Sequence, residues 1–387
     1  MYKHLYSRFL KAHSNTLHFA CHSHHYWPDV TREAQISYWD DSCLHVDNKW
    51  SYLFGEKIPQ AQKLIAEVLH LSHPEQLVFA PNTHELVFRL LSSLDWCKKN
   101  RILTTDSEFY SFDRQINRLA EFGAFEIEKI PTLPIETFHQ RFTRALQSSS
   151  WDLVFLSHVF FNSGLVCDFQ KLSREASAET LFVVDGYHGF MALPTDLSSV
   201  QEKVFYLAGS YKYAQGGEGA CFLYVPPATR HRPLNTGWFA ELAQLASVKN
   251  EVGYPTGSLQ YAGSTMDFSA LYRLIAVLDA FHSNEISVKT IHSFVKRNQD
   301  FFLEKLTALQ HNLIHTECLL RASDRSQVHG HFLTFQLPSS ELTKKTVERL
   351  KEKGLLVDSR GDRLRFGFGL YHAEQDLLRA VQIISEI

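Results

Sequence analysis

The chain has 387 residues, 44% of them hydrophobic and 21% charged, with a formal net charge of −3. These proportions belong to a water-soluble globular protein with room for more than one domain. No basic excess favours nucleic acid, no polybasic run favours a membrane surface, and no stretch approaches the roughly 18 apolar residues of a membrane span. The N-terminal MYKHLYSRFLKAH has neither the apolar region nor the cleavage site of a secretory signal. The six cysteines (21, 43, 97, 167, 221 and 318) form no CxxC pair, so reduced thiols and a cytoplasmic location are expected.

The first 50 residues are rich in His and Trp, follow neither helical nor strand periodicity, and are expected to form an arm or part of a small domain. Within them CHSHH (21–25) invites a zinc reading. Its five consecutive positions cannot easily wrap one tetrahedral ion, and no second ligand pair stands out, so no metal is predicted. Residues 51–267 are expected to form a large α/β domain. From about 75 to 226 the apolar runs QLVFA, RILTTD, FEIEKI, DLVFLSHV, TLFVVDG, KVFYLAGS and ACFLYVP read as strands. HELVFRLLSSLDW and SFDRQINRLAEF between them read as helices. This alternation predicts a mostly parallel, doubly wound sheet.

Residues 268–387 are expected to form a smaller C-terminal α+β domain. DFSALYRLIAVLDAFHS and HSFVKRNQDFFLEKLTAL carry the 3.6-residue period of long helices. HFLTFQL, LLVDS and LRFGF read as strands, and ELTKKTVERLKEK and EQDLLRAVQIISEI as helices.

The chemistry concentrates in VVDGYHGF (183–190) and FYLAGSYKYAQGGEGACFLYV (205–225). Asp185 ends an apolar strand, and open α/β sheets bind ligands beyond the carboxyl ends of their strands. Lys212 follows the next strand among small and aromatic residues. A lysine there is costly unless paired or functional, and desolvation lowers its basicity as a Schiff-base amine requires. A carboxylate one strand away can hold a pyridinium nitrogen protonated. The bland alternative is a surface lysine beside a strand-end Asp. GGEGA runs into a strand, not a helix, and so fails the context of a nucleotide loop; it reads as a tight turn. In LVFAPNTHELVFRLL (77–91), Asn82 and Thr83 stand where a helix begins, a position suited to phosphate binding or to plain capping.

SYKY with its glycine-rich turn, Asp185 three residues before His188, GWF (237–239) and LLVDSRGDRLRFGFGLYHAEQDLLRAV together resemble kynureninase, a branch of the class V, fold-type I pyridoxal-phosphate (PLP) enzymes. The resemblance implies the fold-type I PLP-dependent transferase architecture, a mostly parallel doubly wound sheet plus a smaller C-terminal α+β domain, and PLP as cofactor. It implies Lys212 as the cofactor lysine, Asp185 on the pyridine nitrogen, His188 near the ring, and Tyr211 on the phosphate with a share in proton transfer. It further implies phosphate contacts from Asn82 and Thr83, and ring or phosphate contacts from Thr105, Glu108 and Ser163. Phe109 is implied as a stacking ring. Trp238 and Ser264 would reach the phosphate across a homodimer interface, and Arg365 would take the substrate carboxylate. Ser23 and His45 would lie at the substrate side.

The chain departs from that pattern at Thr105 and Glu108, at His22–Ser23 where an Asn–Ser is expected, and in AGSTMD (262–267), which lacks prolines. The leading expectation is hydrolysis of the Cβ–Cγ bond of kynurenine or a related aryl amino acid to alanine and an aryl acid. The alternatives are a class V aminotransferase, a cysteine desulfurase-like lyase, and a non-catalytic scaffold. A desulfurase needs a mobile cysteine near the carboxylate-binding arginine, whereas Cys318 stands 47 residues before Arg365.

Overall fold

The computed structural model describes residues 2–244, 251–321 and 328–387. The N-terminal segment holds α1 (Ser7–Ala12), β1 (Leu17–His18), α2 (Val30–His45), α3 (Lys49–Tyr52) and α4 (Ile58–Leu69). It is therefore substantially helical, where the sequence pattern suggested an irregular arm. The strands β2 (Leu77–Ala80), β3 (Asn100–Thr105), β4 (Phe125–Ile130), β5 (Leu153–Ser157), β6 (Leu181–Asp185), β7 (Val204–Gly209) and β8 (Cys221–Tyr224) follow. Between the first five of them run α5 (Thr83–Leu91), α6 (Tyr110–Ala120), α7 (Ile135–Ser148) and α8 (Phe169–Glu175).

These strands form one seven-stranded sheet in the order β2-β8-β7-β6-β5-β3-β4. Strands β7, β6, β5, β3 and β4 are mutually parallel, and β8 runs antiparallel between β7 and β2. Strands β2, β5, β7 and β8 are buried along their whole length. Continuous apolar runs such as VFYLAG suit strands covered on both faces, which is why they alternate poorly in the sequence. The expected mostly parallel α/β sheet is the observed one.

The C-terminal part contains α9 (Ser269–Ser283), α10 (Val288–Leu309), β9 (Phe332–Gln336), α11 (Ser340–Glu352), β10 (Leu355–Leu356), β11 (Asp358–Arg360), β12 (Arg363–Gly367) and α12 (Glu374–Ser385). Strands β11, β12 and β9 make an antiparallel sheet, and β1 pairs in parallel with β10. Two apolar cores result. The larger surrounds the seven-stranded sheet and includes Leu271, Leu274 and Leu278 of α9, although the sequence reading grouped α9 with the C-terminal residues. The smaller joins Phe19, Phe302, Phe335, Leu350, Phe366 and Leu377.

The N-terminal segment is pinned to both cores. Helix α2 packs along α9: Tyr272 hydroxyl donates to Asp41 at 2.8 Å, and Arg273 bonds Gln35. Phe19 N donates to Leu356 O at 2.7 Å, and Gly367 N to Phe19 O at 2.6 Å. This carries residues 22–25 to the junction between the sheets. Gly367 permits that approach, since a Cβ there would lie 2.4 Å from His22 Nδ1 and 3.0 Å from Cys21 Sγ. Gly367→Ala should overpack this seam and cost about 1–3 kcal/mol of stability. A urea-unfolding midpoint unchanged from the parent protein would contradict that packing.

Candidate active site

The carboxyl ends of β2, β3, β5, β6 and β7 open onto one cavity of about 220 Å³, whose lining includes Asn82, Thr83, Phe109, Asp185, His188, Tyr211 and Lys212. Local geometry explains the convergence. After β6, Tyr187 N donates to Asp185 Oδ1 at 2.9 Å, and Gly189 N to Gly186 O at 2.8 Å, closing a turn that brings His188 beside the strand end. After β7, Ser210 N bonds Ala220 O at 2.9 Å, and the intervening loop is clamped from α9 by Arg273, which donates to Gly216 O at 2.8 Å and Glu218 O at 2.7 Å. Gly217 and Gly219 take φ of +74° and +109° there, the left-handed region that glycine enters without strain. GGEGA is thus the tight turn the sequence suggested, folded back beside Lys212.

Lys212 is 6% exposed. Its Nζ lies 2.7 Å from His188 Nε2, 4.9 Å from the Tyr187 ring centroid and 5.3 Å from that of Phe109. Burial pulls the amine down to about 7, against the opposing pull of the Asp185 carboxylate. Burial also raises Asp185, which the Tyr187 N–H and the Lys212 charge partly offset. His188 is pushed well below the usual imidazole range by burial and by Lys212, so it is neutral.

The other expected residues take different places around the cavity. Thr105 and Glu108 lie under the cavity floor. Thr105 hydroxyl donates to Glu108 Oε1 and Ser157 hydroxyl to Oε2, each at 2.6 Å. Burial raises this carboxyl to about 8, so near neutral pH it is largely protonated, and a place on the cofactor surface is corrected to a place beneath it. Ser163 is likewise buried away from the cavity lining, its Oγ accepting from Leu165 N at 3.3 Å. Asn82 borders the cavity, but its side chain caps α5 by accepting from Glu85 N at 2.9 Å.

Arg365 is buried on β12, donating to Phe161 O just behind the cavity wall and paired with Asp358. Asp358 also receives Ser23 Oγ, and Arg360 at 2.8 Å. Burial works to raise this carboxyl, but Arg365, Ser23 and Arg360 hold it below its ordinary value. Ser23 therefore reaches the site through Asp358. Arg363, on the same face of β12, bonds Asn162 O at 3.1 Å.

Trp238, Ser264 and His45 do not line the cavity. Trp238 Nε1 donates to Thr265 Oγ1 at 3.2 Å, and Ser264 is exposed. His45 stacks on Tyr52 at 4.0 Å at the end of α2, which corrects its expected place near the substrate. The CHSHH histidines disperse: His22 stacks on Phe332 at 4.8 Å, His24 faces Tyr211 at 6.0 Å, and His25 Nδ1 meets Tyr26 O at 2.7 Å. The lining also contains His84, Ser157, Phe161, Tyr187 and Glu218, which the sequence reading did not select. Tyr187 stood inside VVDGYHGF, a motif already marked, so only its orientation was illegible.

A PLP group needs a buried amine, a carboxylate for its ring nitrogen, a flat partner for the ring and N–H donors for the phosphate. Lys212, Asp185, Phe109 and the first turn of α5 at Thr83 supply these around one cavity, and the residues present fit the group. The family model described as aminotransferase class-V matches residues 39–377. The chain belongs to the class-V aminotransferase family. Among solved structures, this class-V chain is similar to a lysine-to-alanine mutant of C-DES with glycine covalently linked to its PLP cofactor. That match has a TM-score of 0.82 and 18% identity over 98% of both chains. The cystine C–S lyase C-DES with its product cysteine persulfide gives 0.79 and 18% over 98% of this chain and 99% of the other. An apo cysteine desulfurase from Thermococcus onnurineus NA1 gives 0.77 and 16% over 96% and 94%. Comparison with curated protein sequences gave no match.

An amine titrating near 7 is cationic below that pH and free above it. The rate at which the class-V chain captures PLP at Lys212 should therefore rise through about pH 7 and then level off. Stopped-flow absorbance over a pH series checks this, and a rate still climbing toward the ordinary lysine range contradicts it.

Proposed function

We propose that this class-V enzyme uses PLP to eliminate a sulfur leaving group from the β-carbon of a sulfur-containing amino acid, as a C–S lyase. The observation that carries the reading is the cavity itself. No cysteine is among its lining residues, so a leaving sulfur meets no protein thiol there. Kynurenine-type hydrolysis, the first expectation, asks for an aryl pocket, and the histidine assigned to it stands elsewhere. The similarity to a cystine C–S lyase and to a cysteine desulfurase supports sulfur chemistry over carbon–carbon cleavage. A desulfurase would pass sulfur to a protein thiol. Here burial pushes the Cys221 thiol up to about 12 and raises Cys21 and Cys167, which leaves them poor nucleophiles.

When bound, PLP supplies an electron sink conjugated to the substrate Cα. Lys212 Nζ, poised near neutral pH between its charged and free forms, removes the Cα proton in its free form. His188 Nε2 holds Nζ at 2.7 Å and keeps it aimed. The Asp185 carboxylate faces a cationic ring nitrogen, which offsets the burial that otherwise favours its neutral form. Arg365 stands behind the cavity wall with its guanidinium on Phe161 O and Asp358, and it would take the substrate carboxylate by exchanging one of these partners for it. The sulfur departs with the bonding pair into solution, there being no thiol in the cavity wall to receive it. Trp238 and Ser264 belong in this reading to the wall shared by two subunits of a homodimer.

The PLP-loaded protein should release pyruvate from L-cystine, with L-cysteine and L-kynurenine slower by about tenfold or more. Alanine and an aryl acid from kynurenine would restore the carbon–carbon hydrolase. Alanine from cysteine would indicate desulfuration. Light scattering on the same preparation should give a dimer, and a fully active monomer would remove the shared wall.

A further inference from the structure

Beside Lys212, starting at the cavity wall, three buried rings carry polar atoms with no hydrogen-bond partner among the described residues. They are His188 Nδ1, Tyr213 hydroxyl and His331 Nδ1. Their rings stand one after another in space. His188 lies 6.2 Å from Tyr213, and Tyr213 lies 5.2 Å from His331, centroid to centroid. The two ends of this row are joined to further groups. His188 Nε2 sits 2.7 Å from Lys212 Nζ, and His331 Nε2 sits 3.1 Å from His292 Nδ1. His292 stands in the first turns of α10 and is partly exposed, whereas the three rings before it are buried.

Buried polar atoms in folded proteins almost always have partners, and where protein supplies none, ordered water does. Three such atoms on consecutive rings mark a polar seam between the two sheets. Apolar side chains would have closed the same space more cheaply. The seam also begins at the one amine that must exchange a proton during the reaction and ends at the surface.

We propose that Tyr213, His331 and His292, bridged by water, form a proton path from the Lys212–His188 pair to the protein surface at the start of α10. The proposal rests on the PLP reading above. With cofactor and substrate in place, the mouth beside Phe109 and Tyr211 is filled, and a proton taken from Cα by Nζ needs another exit. Along the path each neutral imidazole accepts a proton at one ring nitrogen and releases one from the other. Tyr213 accepts at its oxygen while donating its own hydrogen. One proton enters and one leaves, with no change in charge or oxidation state. Burial keeps His188 and His331 neutral and Tyr213 protonated, the forms such a relay uses.

Two measurements test the path. In a high-resolution crystal structure of the cofactor-free protein, ordered water should lie within hydrogen-bond reach of His188 Nδ1, Tyr213 hydroxyl and His331 Nδ1; a dry seam overturns the path. In the PLP-loaded protein, deuterium wash-in from D2O at the Cα of L-alanine, followed by NMR, should fall roughly tenfold or more in Tyr213→Phe and in His292→Leu. Cofactor absorbance and the L-alanine dissociation constant should stay unchanged. Tyr213→Phe removes one oxygen and keeps the ring packing, and His292 is partly exposed, so a loss in both is not a folding defect. Unchanged wash-in in both variants overturns the path. No wash-in in the unaltered protein, with the waters present, would count against the amino-acid reading, and the path would then stand on its waters.

Discussion

A lysine amine buried at the carboxyl end of a central strand is the constraint on which the rest of this structure depends. An uncompensated cation there is costly, and the surroundings of Lys212 answer that cost without removing it. Asp185 stands at the end of the adjacent parallel strand, a neutral imidazole touches Nζ, and aromatic faces stand at about 5 Å. The balance leaves the amine near 7, where it is poised between its two forms. The glycine turn clamped by Arg273, the close approach of Tyr187 to Gly209 and the buried seam behind His188 all serve to hold that one atom.

The same logic extends to the junction between the two sheets. Arg365 and Asp358 are a second buried charge pair, held by Ser23 from the N-terminal segment and by the carbonyl of Phe161 from the large sheet. Three separate stretches of chain therefore meet on one charge pair. A pair so arranged aligns the small sheet with the cavity, and a substrate carboxylate would share its charge. The N-terminal strand pairing with β10, and the glycine that admits His22, keep this junction closed from the outside.

Sequence reasoning succeeded where chemistry sits at strand ends. Asp185, His188, Tyr211, Lys212 and Phe109 each follow a recognisable apolar run, and a parallel sheet brings such positions together whatever lies between them. It failed where side-chain direction decides. Glu108 and Phe109 are consecutive, yet one points under the floor and the other into the cavity, a difference of orientation that spacing does not carry. His45 resembled a site residue only by its place in the chain. The helices of residues 30–69 were missed because α2 mixes polar and aromatic residues on both faces, its packing being set by α9 far along the chain. The family was legible from order and spacing. The reaction was not, because it turns on which groups, thiols among them, reach the cavity.

The account stands or falls on covalent attachment of PLP at Lys212. Reducing the PLP-loaded protein with borohydride, digesting it and sequencing the modified peptide by mass spectrometry measures this directly. The account predicts a single pyridoxyl group on the Lys212 side chain, lost in Lys212→Ala. A label on any other lysine, or an undiminished label in that variant, would contradict it.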